Sequence, residues 1–153
     1  AGHAILFHVL EKMDPVYTIS IIPTGAGAAG YTMPLPNRDE MFNTRGKMLE
    51  NIEVCLGGRI AEELIFDDIT TGASEGFSET TAAAIDREVK EIIDECYVKA
   101  KASIQAHRYV LEHCAQLLLE KEKIGRTEFE KLFDEEKNAA VSGEIVQNSE
   151  EKK

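Results

Sequence analysis

The side chains that could do chemistry in this 153-residue chain begin with four histidines, His3, His8, His107 and His113. Two histidines that bind one metal ion from a single helix are four residues apart, which puts them on the same face. His3 and His8 are five residues apart, so on a helix they would point about 140° away from each other. They do not form a metal-binding pair, and a helical partner of His3 would have to precede Ala1.

If His3 is a metal ligand, its partner would lie four residues earlier, before Ala1, and a His-Glu-x-x-His motif would end at His3. In such a motif the two histidines hold zinc and the glutamate acts as general base on the zinc-bound water. The first residues read as the interior of a helix without a capping residue, so we expect native sequence before Ala1. Taken alone His3 is a weak signal, because most helical histidines have core or surface roles.

The other histidines and cysteines that could bind a metal ion do not have the spacing of a known zinc site. His107, His113, Cys96 and Cys114 have spacings that match no such pattern, and we assign them core and surface roles on a long helix. The three cysteines, which include Cys55, are odd in number and widely spaced. We predict that all three are buried, reduced thiols.

The elements that would position His3 can be predicted from the pattern of apolar residues. Residues 1–12 read as a helix that Asp14-Pro15 ends. Val16–Ile22 and Ala29–Met33 read as two strands of a hairpin, which must lie on helices to be stable.

After the hairpin, apolar residues again recur at the spacing of a helix. Thr44 is predicted to cap a helix that contains Gly57-Gly58, where each glycine costs about 1 kcal/mol relative to alanine unless close packing compensates. Gly57-Gly58-Arg59 lacks the context of a phosphate loop, so we interpret it as a helix-packing site. Ser78 is predicted to cap a long helix that bends near His107, and Thr127 to cap a final short helix.

The charge and composition exclude several classes of protein. The net charge is −11, and an acidic chain repels phosphate backbones, so we predict no nucleic-acid partner. No apolar stretch is long enough to span a membrane, which predicts a soluble domain. Residues 136–153 lack periodicity and are predicted to form a disordered acidic tail.

The order of several short motifs resembles the peptidase domain of the FtsH family of ATP-dependent, membrane-anchored zinc metalloproteases. The motifs are Ala-Gly-His-Ala from residue 1, Val-Tyr-Thr-Ile-Ser-Ile-Ile-Pro from 16, Gly-Tyr-Thr-Met-Pro from 30, Leu-Gly-Gly-Arg-Ile-Ala-Glu-Glu from 56 and Thr-Thr-Gly-Ala-Ser from 70. The resemblance implies a mainly α fold, a helical metallopeptidase domain with a small β-hairpin, over residues 1–135.

The resemblance also implies a zinc site of which this chain carries one ligand, His3. The first histidine and the general-base glutamate would precede Ala1, so no catalytic residue is present. The family's aspartate ligand would fall at Gly76, which has no side chain, and the neighbouring Glu75 has a different direction. A helical stretch of the family is absent near residues 74–77. We therefore expect an incomplete metal site.

The family further implies partners and a location. Unfolded or membrane proteins would be the substrates, ATP would be used by an upstream ATPase module absent from this chain, and the whole protein would be a hexamer at the cytosolic face of a membrane. Ile21, Ile22, Gly30 and Tyr31 could bind substrate by pairing an edge strand with its backbone, or could form a purely structural hairpin. The alternative function is a catalytically inactive helical oligomerisation module.

Overall fold

The computed structural model describes residues 1–23, 30–36, 42–66 and 81–150, and the side chains of these residues except 81–86 and 141–150. The elements in chain order are α1 (Gly2–Val9), β1 (Val16–Ser20), β2 (Tyr31–Pro34), α2 (Arg45–Phe66), α3 (Thr81–Ala106), α4 (Arg108–Lys121), β3 (Lys123–Gly125) and α5 (Arg126–Glu150). The predicted mainly α fold with a small β-hairpin is confirmed. None of the described helices is long and apolar enough to cross a membrane.

The three strands form one antiparallel sheet in the order β2-β1-β3. The central strand β1 is almost entirely buried, and the Thr18 hydroxyl donates a hydrogen bond of 3.1 Å to the carbonyl of Ile124 in β3. The hairpin of β1 and β2 agrees with the prediction, with bounds shifted by up to two residues. The strand β3 was not predicted from the sequence, because a three-residue strand has too few residues to show an alternating pattern.

The predicted long helix is interrupted at His107. Its backbone has φ −114° and ψ 38°, so α3 ends at Ala106 and α4 begins at Arg108. This break confirms the predicted bend. α4 ends at Lys121, and Glu122 turns the chain with a φ of 60°. The proposed cap Ser78 lies outside the described residues.

The core lies between the sheet and the helices. Its largest fully buried side chains are Phe129, Ile5, Leu6, Ile60, Ile104, Ile124, Val110 and Cys114. Cys96 is also buried, as predicted, but Cys55 is exposed, which corrects the prediction of three buried thiols. The buried face of α2 includes Val54 and Gly57, and a step of one residue turns Cys55 about 100° away from Val54.

The C-terminal helix differs from the expected short helix and disordered tail. α5 begins at Arg126, so Thr127 lies inside it, and it continues to Glu150. Residues 151–153 lie outside the described part of the chain. The segment after 133 is rich in Glu, Lys and Ala, which favour a helix without an apolar partner. Glu136 is also held by His107, whose Nδ1 lies 2.6 Å from the Glu136 carboxylate.

Candidate metal and substrate site

The backbones of α1 and α2 touch at their glycines, and this contact sets the position of His3. A Cβ atom added at Gly2 would lie 2.1 Å from the carbonyl oxygen of Gly57, closer than any real side chain could approach. A Cβ atom added at Gly57 would lie 3.2 Å from the backbone of Gly2. The prediction that Gly57-Gly58 marks a close packing site is therefore confirmed.

The imidazole of His3 lies against Gly58. A Cβ atom at position 58 would be 2.3 Å from Cε1 and 2.9 Å from Nε2 of His3. Glycine at this position leaves the space that the ring occupies, so α2 limits the orientations open to His3.

The surroundings of His3 favour its neutral form. Burial lowers the pKa of His3, while a hydrogen bond to the backbone of Cys55 and the charge of Glu62 raise it. Neutral imidazole is the form that binds metals, and a backbone hydrogen bond commonly orients a metal-binding histidine. The surroundings of His3 thus favour a neutral ring whose orientation is set by the backbone of Cys55.

His3 borders a cavity of about 560 Å³ between α1 and the sheet, which we name the strand-edge cleft. Its described lining residues are Ala1, His3, Phe7, Ile19, Ser20, Ile21, Gly30, Tyr31, Thr32, Glu62 and Leu118. The structure thus brings His3 together with three of the four residues predicted to bind substrate. Ile22 is 44% exposed and lies outside this lining.

The strand β2, which begins at Tyr31, is at the edge of the sheet, so its outer side is not paired with another described strand. Gly30 precedes it with a φ of 155°, and a Cβ atom there would lie 2.4 Å from the carbonyl oxygen of Ser20. Gly30 therefore lets β2 begin close against the end of β1. An edge strand of this kind can add a further extended chain through its free backbone groups.

The described residues do not by themselves form a metal site. Within the described ranges there is no group of three or more His, Cys, Asp or Glu side chains that could hold a metal ion. Glu75 and Gly76, which were considered for the third ligand, lie outside those ranges.

The other three histidines have contacts of a structural kind. His8 stacks on Phe133 with ring centroids 4.1 Å apart, and His107 contacts Glu136. His113 places Nδ1 2.8 Å from the carbonyl oxygen of Tyr109.

Sequence reasoning did not single out Glu62, which lines the strand-edge cleft beside His3. Glu62 follows Gly58 by four residues, so the two lie on the same face of α2. This spacing could have identified Glu62 once Gly58 was known to contact His3. Any charge that develops near His3 would thus be influenced by a carboxylate.

The comparisons with known proteins all point to one protein family. The model of peptidase family M41 matches residues 1–78 and 74–132. The ATP-dependent zinc metalloprotease FtsH of Thermotoga maritima is 33% identical, and the alignment covers 89% of this chain and 30% of that protein.

Two further relatives carry the same name. FtsH of Syntrophobacter fumaroxidans is 32% identical, with 96% of this chain and 30% of the relative covered. FtsH 3 of Phytoplasma mali is 36% identical, with 86% and 26% covered. The chain spans between 26% and 30% of the length of these relatives. Because both the family model and relatives above 30% identity cover most of the chain, it belongs to peptidase family M41 and corresponds to the peptidase domain of the FtsH family.

Proposed function

We propose that this chain is the peptidase domain of an ATP-dependent zinc endopeptidase that degrades unfolded or membrane proteins, with a metal site that is incomplete in this chain. The observation that carries the proposal is the position of His3, the one ligand that the family pattern assigns here, in the strand-edge cleft. When bound, zinc would polarise the scissile carbonyl and lower the pKa of its water. His3 would hold it as a neutral, oriented ligand.

The proposal gives the strand-edge cleft the role of holding substrate. An extended polypeptide would pair with the outer side of β2 and pass Ile21, Gly30 and Tyr31, while Ile22 lies beside the cleft. Backbone pairing of this kind is largely independent of side chains, which suits an enzyme that processes many sequences.

The internal gap near residues 74–77 is part of the proposal. Its support is the length of the alignment with the Thermotoga maritima relative, which spans 180 positions. It covers 89% of 153 residues, which is about 136 residues, so some 44 positions have no counterpart in this chain. The gap would remove a helical stretch and with it the family's third ligand. In the gene, an aspartate-bearing helical stretch between Ser74 and Phe77 would complete the site in the full-length product, and sequencing across these positions tests this.

The use of ATP, the assembly and the location are properties of the whole protein to which this domain would belong. The relatives are named ATP-dependent, and this chain has no nucleotide-binding motif, so an upstream ATPase module would use ATP. Assembly as a hexamer and a location at the cytosolic face of a membrane follow the family.

Zinc content and cleavage of unfolded casein test the proposed activity. In the full-length gene product, we expect His3→Ala to abolish cleavage and to weaken zinc binding by more than about 100-fold, because even changes outside the ligand shell cost about 10–100-fold. The matched control is His113→Ala, which removes an exposed histidine on α4 and should change neither quantity. Retention of zinc and activity by His3→Ala would refute the proposal.

A second candidate function is the catalytically inactive helical oligomerisation module, and one observation favours it. Residues 87–95 of α3 are all exposed, and Val89, Ile92 and Ile93 form an apolar stripe with exposed fractions of 49%, 37% and 40%. Such a stripe is typical of a helix that packs on a partner. Concentration-dependent self-association that Ile92→Lys abolishes, in a protein without zinc or cleavage, would favour this function over the enzyme.

A further inference from the structure

The ring of Phe133 on α5 lies between two histidines that come from different elements. His8, in the last turn of α1, stacks on this ring with centroids 4.1 Å apart and an angle of 29° between the planes. His107 meets the same ring edge-on at 5.1 Å. Because His107 separates α3 from α4, we name its position the helix break. The side chain of Phe133 thus attaches α5 both to α1 and to the helix break.

At the helix break, a carboxylate lies ready to hold a positive charge on the imidazole. Nδ1 of His107 is 2.6 Å from a carboxylate oxygen of Glu136 on α5, so the protonated ring forms an ion pair with it. A hydrogen bond between charged groups is about twice as strong as one between neutral groups. The neighbouring guanidinium of Arg108 is paired with Glu112 at 2.8 Å. Acid should therefore tighten the contact between α5 and the helix break.

The surroundings of His8 act against a positive charge. Its ring lies on the buried ring of Phe133, and burial lowers the pKa of His8. Of the charged groups on α5, Glu130 raises this pKa, and Lys137 and Arg126 lower it. The Glu130 carboxylate is itself paired with Arg126 at 2.7 Å. A proton on His8 should therefore weaken the packing of α1 on α5.

The two histidines also influence each other. The charge of His107 lowers the pKa of His8, because both rings flank the same phenyl group. A proton on His107 has the carboxylate of Glu136 beside it, whereas a proton on His8 meets both burial and the charge of His107. Acid thus acts in opposite directions on the two attachments of α5.

We propose that acid shifts the attachment of α5 from α1 to the helix break. As the pH falls from 7.5 to 5.5, the contact of His107 with Glu136 becomes an ion pair and tightens, while the contact of His8 with Phe133 weakens. This range spans the ordinary titration of histidine and lies above that of glutamate. The switch needs neither zinc nor a substrate, so it does not depend on the proposed function.

The strand-edge cleft is the part of the molecule that would respond to this switch. Phe7 of α1 and Leu118 of α4 both line the cleft, one on each of the helices whose attachment to α5 changes. When α5 holds α4 more firmly at the helix break and α1 less firmly, these two walls change their relative position. The switch therefore makes the width of the cleft depend on pH.

Urea denaturation at pH 7.5 and 5.5 tests the two attachments separately. His107→Gln keeps a hydrogen-bond donor but cannot become charged, so its midpoint should fall further below that of the wild type at pH 5.5, with a difference about twice that at pH 7.5. His8→Gln should show the opposite trend, because only the wild type is then penalised by acid. His113→Gln is the control, since it removes an exposed histidine of α4 and its difference from the wild type should be the same at both pH values.

Nuclear Overhauser effects measure the shift of α5 in the folded wild type. Between pH 7.5 and 5.5, the effect from the Phe133 ring to the His8 ring should fall at least twofold relative to that from Phe133 to His107. Glu136→Gln removes the carboxylate that holds the charge at the helix break. In this variant, acid should weaken the effects to both histidines together.

Two results would overturn the switch. One is a midpoint difference for His107→Gln that stays constant or narrows at pH 5.5, since acid would then not tighten the helix break. The other is an unchanged ratio of the two Overhauser effects in the wild type, which would mean that α5 keeps both attachments while the histidines titrate.

Discussion

Gly58 of α2 lies against the imidazole of His3 on α1, so that a methyl group at position 58 would be 2.3 Å from Cε1 of that ring. The contact links a glycine in the middle of a helix to the histidine that we propose as a metal ligand. It explains how α2 tolerates a residue that is unfavourable in helices, since no other side chain leaves space for His3.

Gly58→Ala should displace the His3 ring without unfolding the protein. The added methyl group meets a side chain that can rotate, and alanine gains about 1 kcal/mol of helix propensity, so the free energy of unfolding should change by less than that. We expect the NMR signals of the His3 ring to shift. Gly46→Ala is the matched control on the same helix, because its methyl group would meet only the flexible end of Lys12. Unshifted His3 signals in Gly58→Ala would contradict the contact.

Gly2→Ala, unlike Gly58→Ala, should lower the free energy of unfolding strongly. The added Cβ atom would lie 2.1 Å from the Gly57 carbonyl oxygen and 2.7 Å from Cβ of Ala61. A backbone atom cannot rotate away, so α1 and α2 must separate, and such overpacking costs about 1–3 kcal/mol. Urea denaturation measures this loss. A midpoint equal to that of the wild type would show that the two helices do not pack this closely.

Gly30→Ala tests the entry to the edge strand. Alanine there would bring Cβ to 2.4 Å from the Ser20 carbonyl oxygen, at a φ of 155° that side chains rarely adopt. We expect a loss of about 1–3 kcal/mol in the free energy of unfolding. Gly125→Ala is the control in the same sheet, because its Cβ atom would meet nothing within 4 Å. If both variants lost stability equally, the effect would not come from the contact with Ser20.

Thr44→Ala should destabilise α2 at its first turn. The Thr44 hydroxyl accepts a hydrogen bond of 3.2 Å from the backbone N–H of Lys47, as the sequence predicted for a helix cap. Loss of such a cap costs about 1 kcal/mol, which thermal or urea denaturation can resolve. Thr44→Ser keeps the hydroxyl and should retain the stability of the wild type, and an equal loss in both variants would argue against capping.

The features that were predictable from the sequence are those that depend on residues close together along the chain. The cap at Thr44 and the break at His107 follow from local pattern, and Gly57-Gly58 is conspicuous because glycine is unfavourable in a helix. The exposure of Cys55 depends on which face of α2 is covered by the rest of the fold. The strand β3 exists because it pairs with β1.

In the candidate site, too, the individual residues were predictable from the sequence, but their arrangement in space was not. His3, Gly30 and Tyr31 could be named from motifs, but their meeting in one cleft depends on how α1 lies against the sheet.

His8 makes the stability of the fold depend on pH. Its ring stacks on Phe133 at 4.1 Å and meets Phe129 edge-on at 5.9 Å. Burial lowers the pKa of His8, Glu130 raises it, and His107, Lys137 and Arg126 lower it. The folded protein therefore binds a proton at His8 less readily than the unfolded chain does, whose histidine pKa is about 6.5.

The sign of the effect follows from this difference. Where the unfolded chain binds more protons, stability rises with pH, so His8 should lower stability as the pH falls below about 6.5 and have no further effect above it. His8→Gln removes the titrating group and keeps a polar side chain at the partly exposed position. Urea midpoints of the wild type and His8→Gln, measured from pH 7.5 to 5, should approach each other or cross as the pH falls, because only the wild type is penalised. A constant difference across this range would mean that His8 does not titrate with folding.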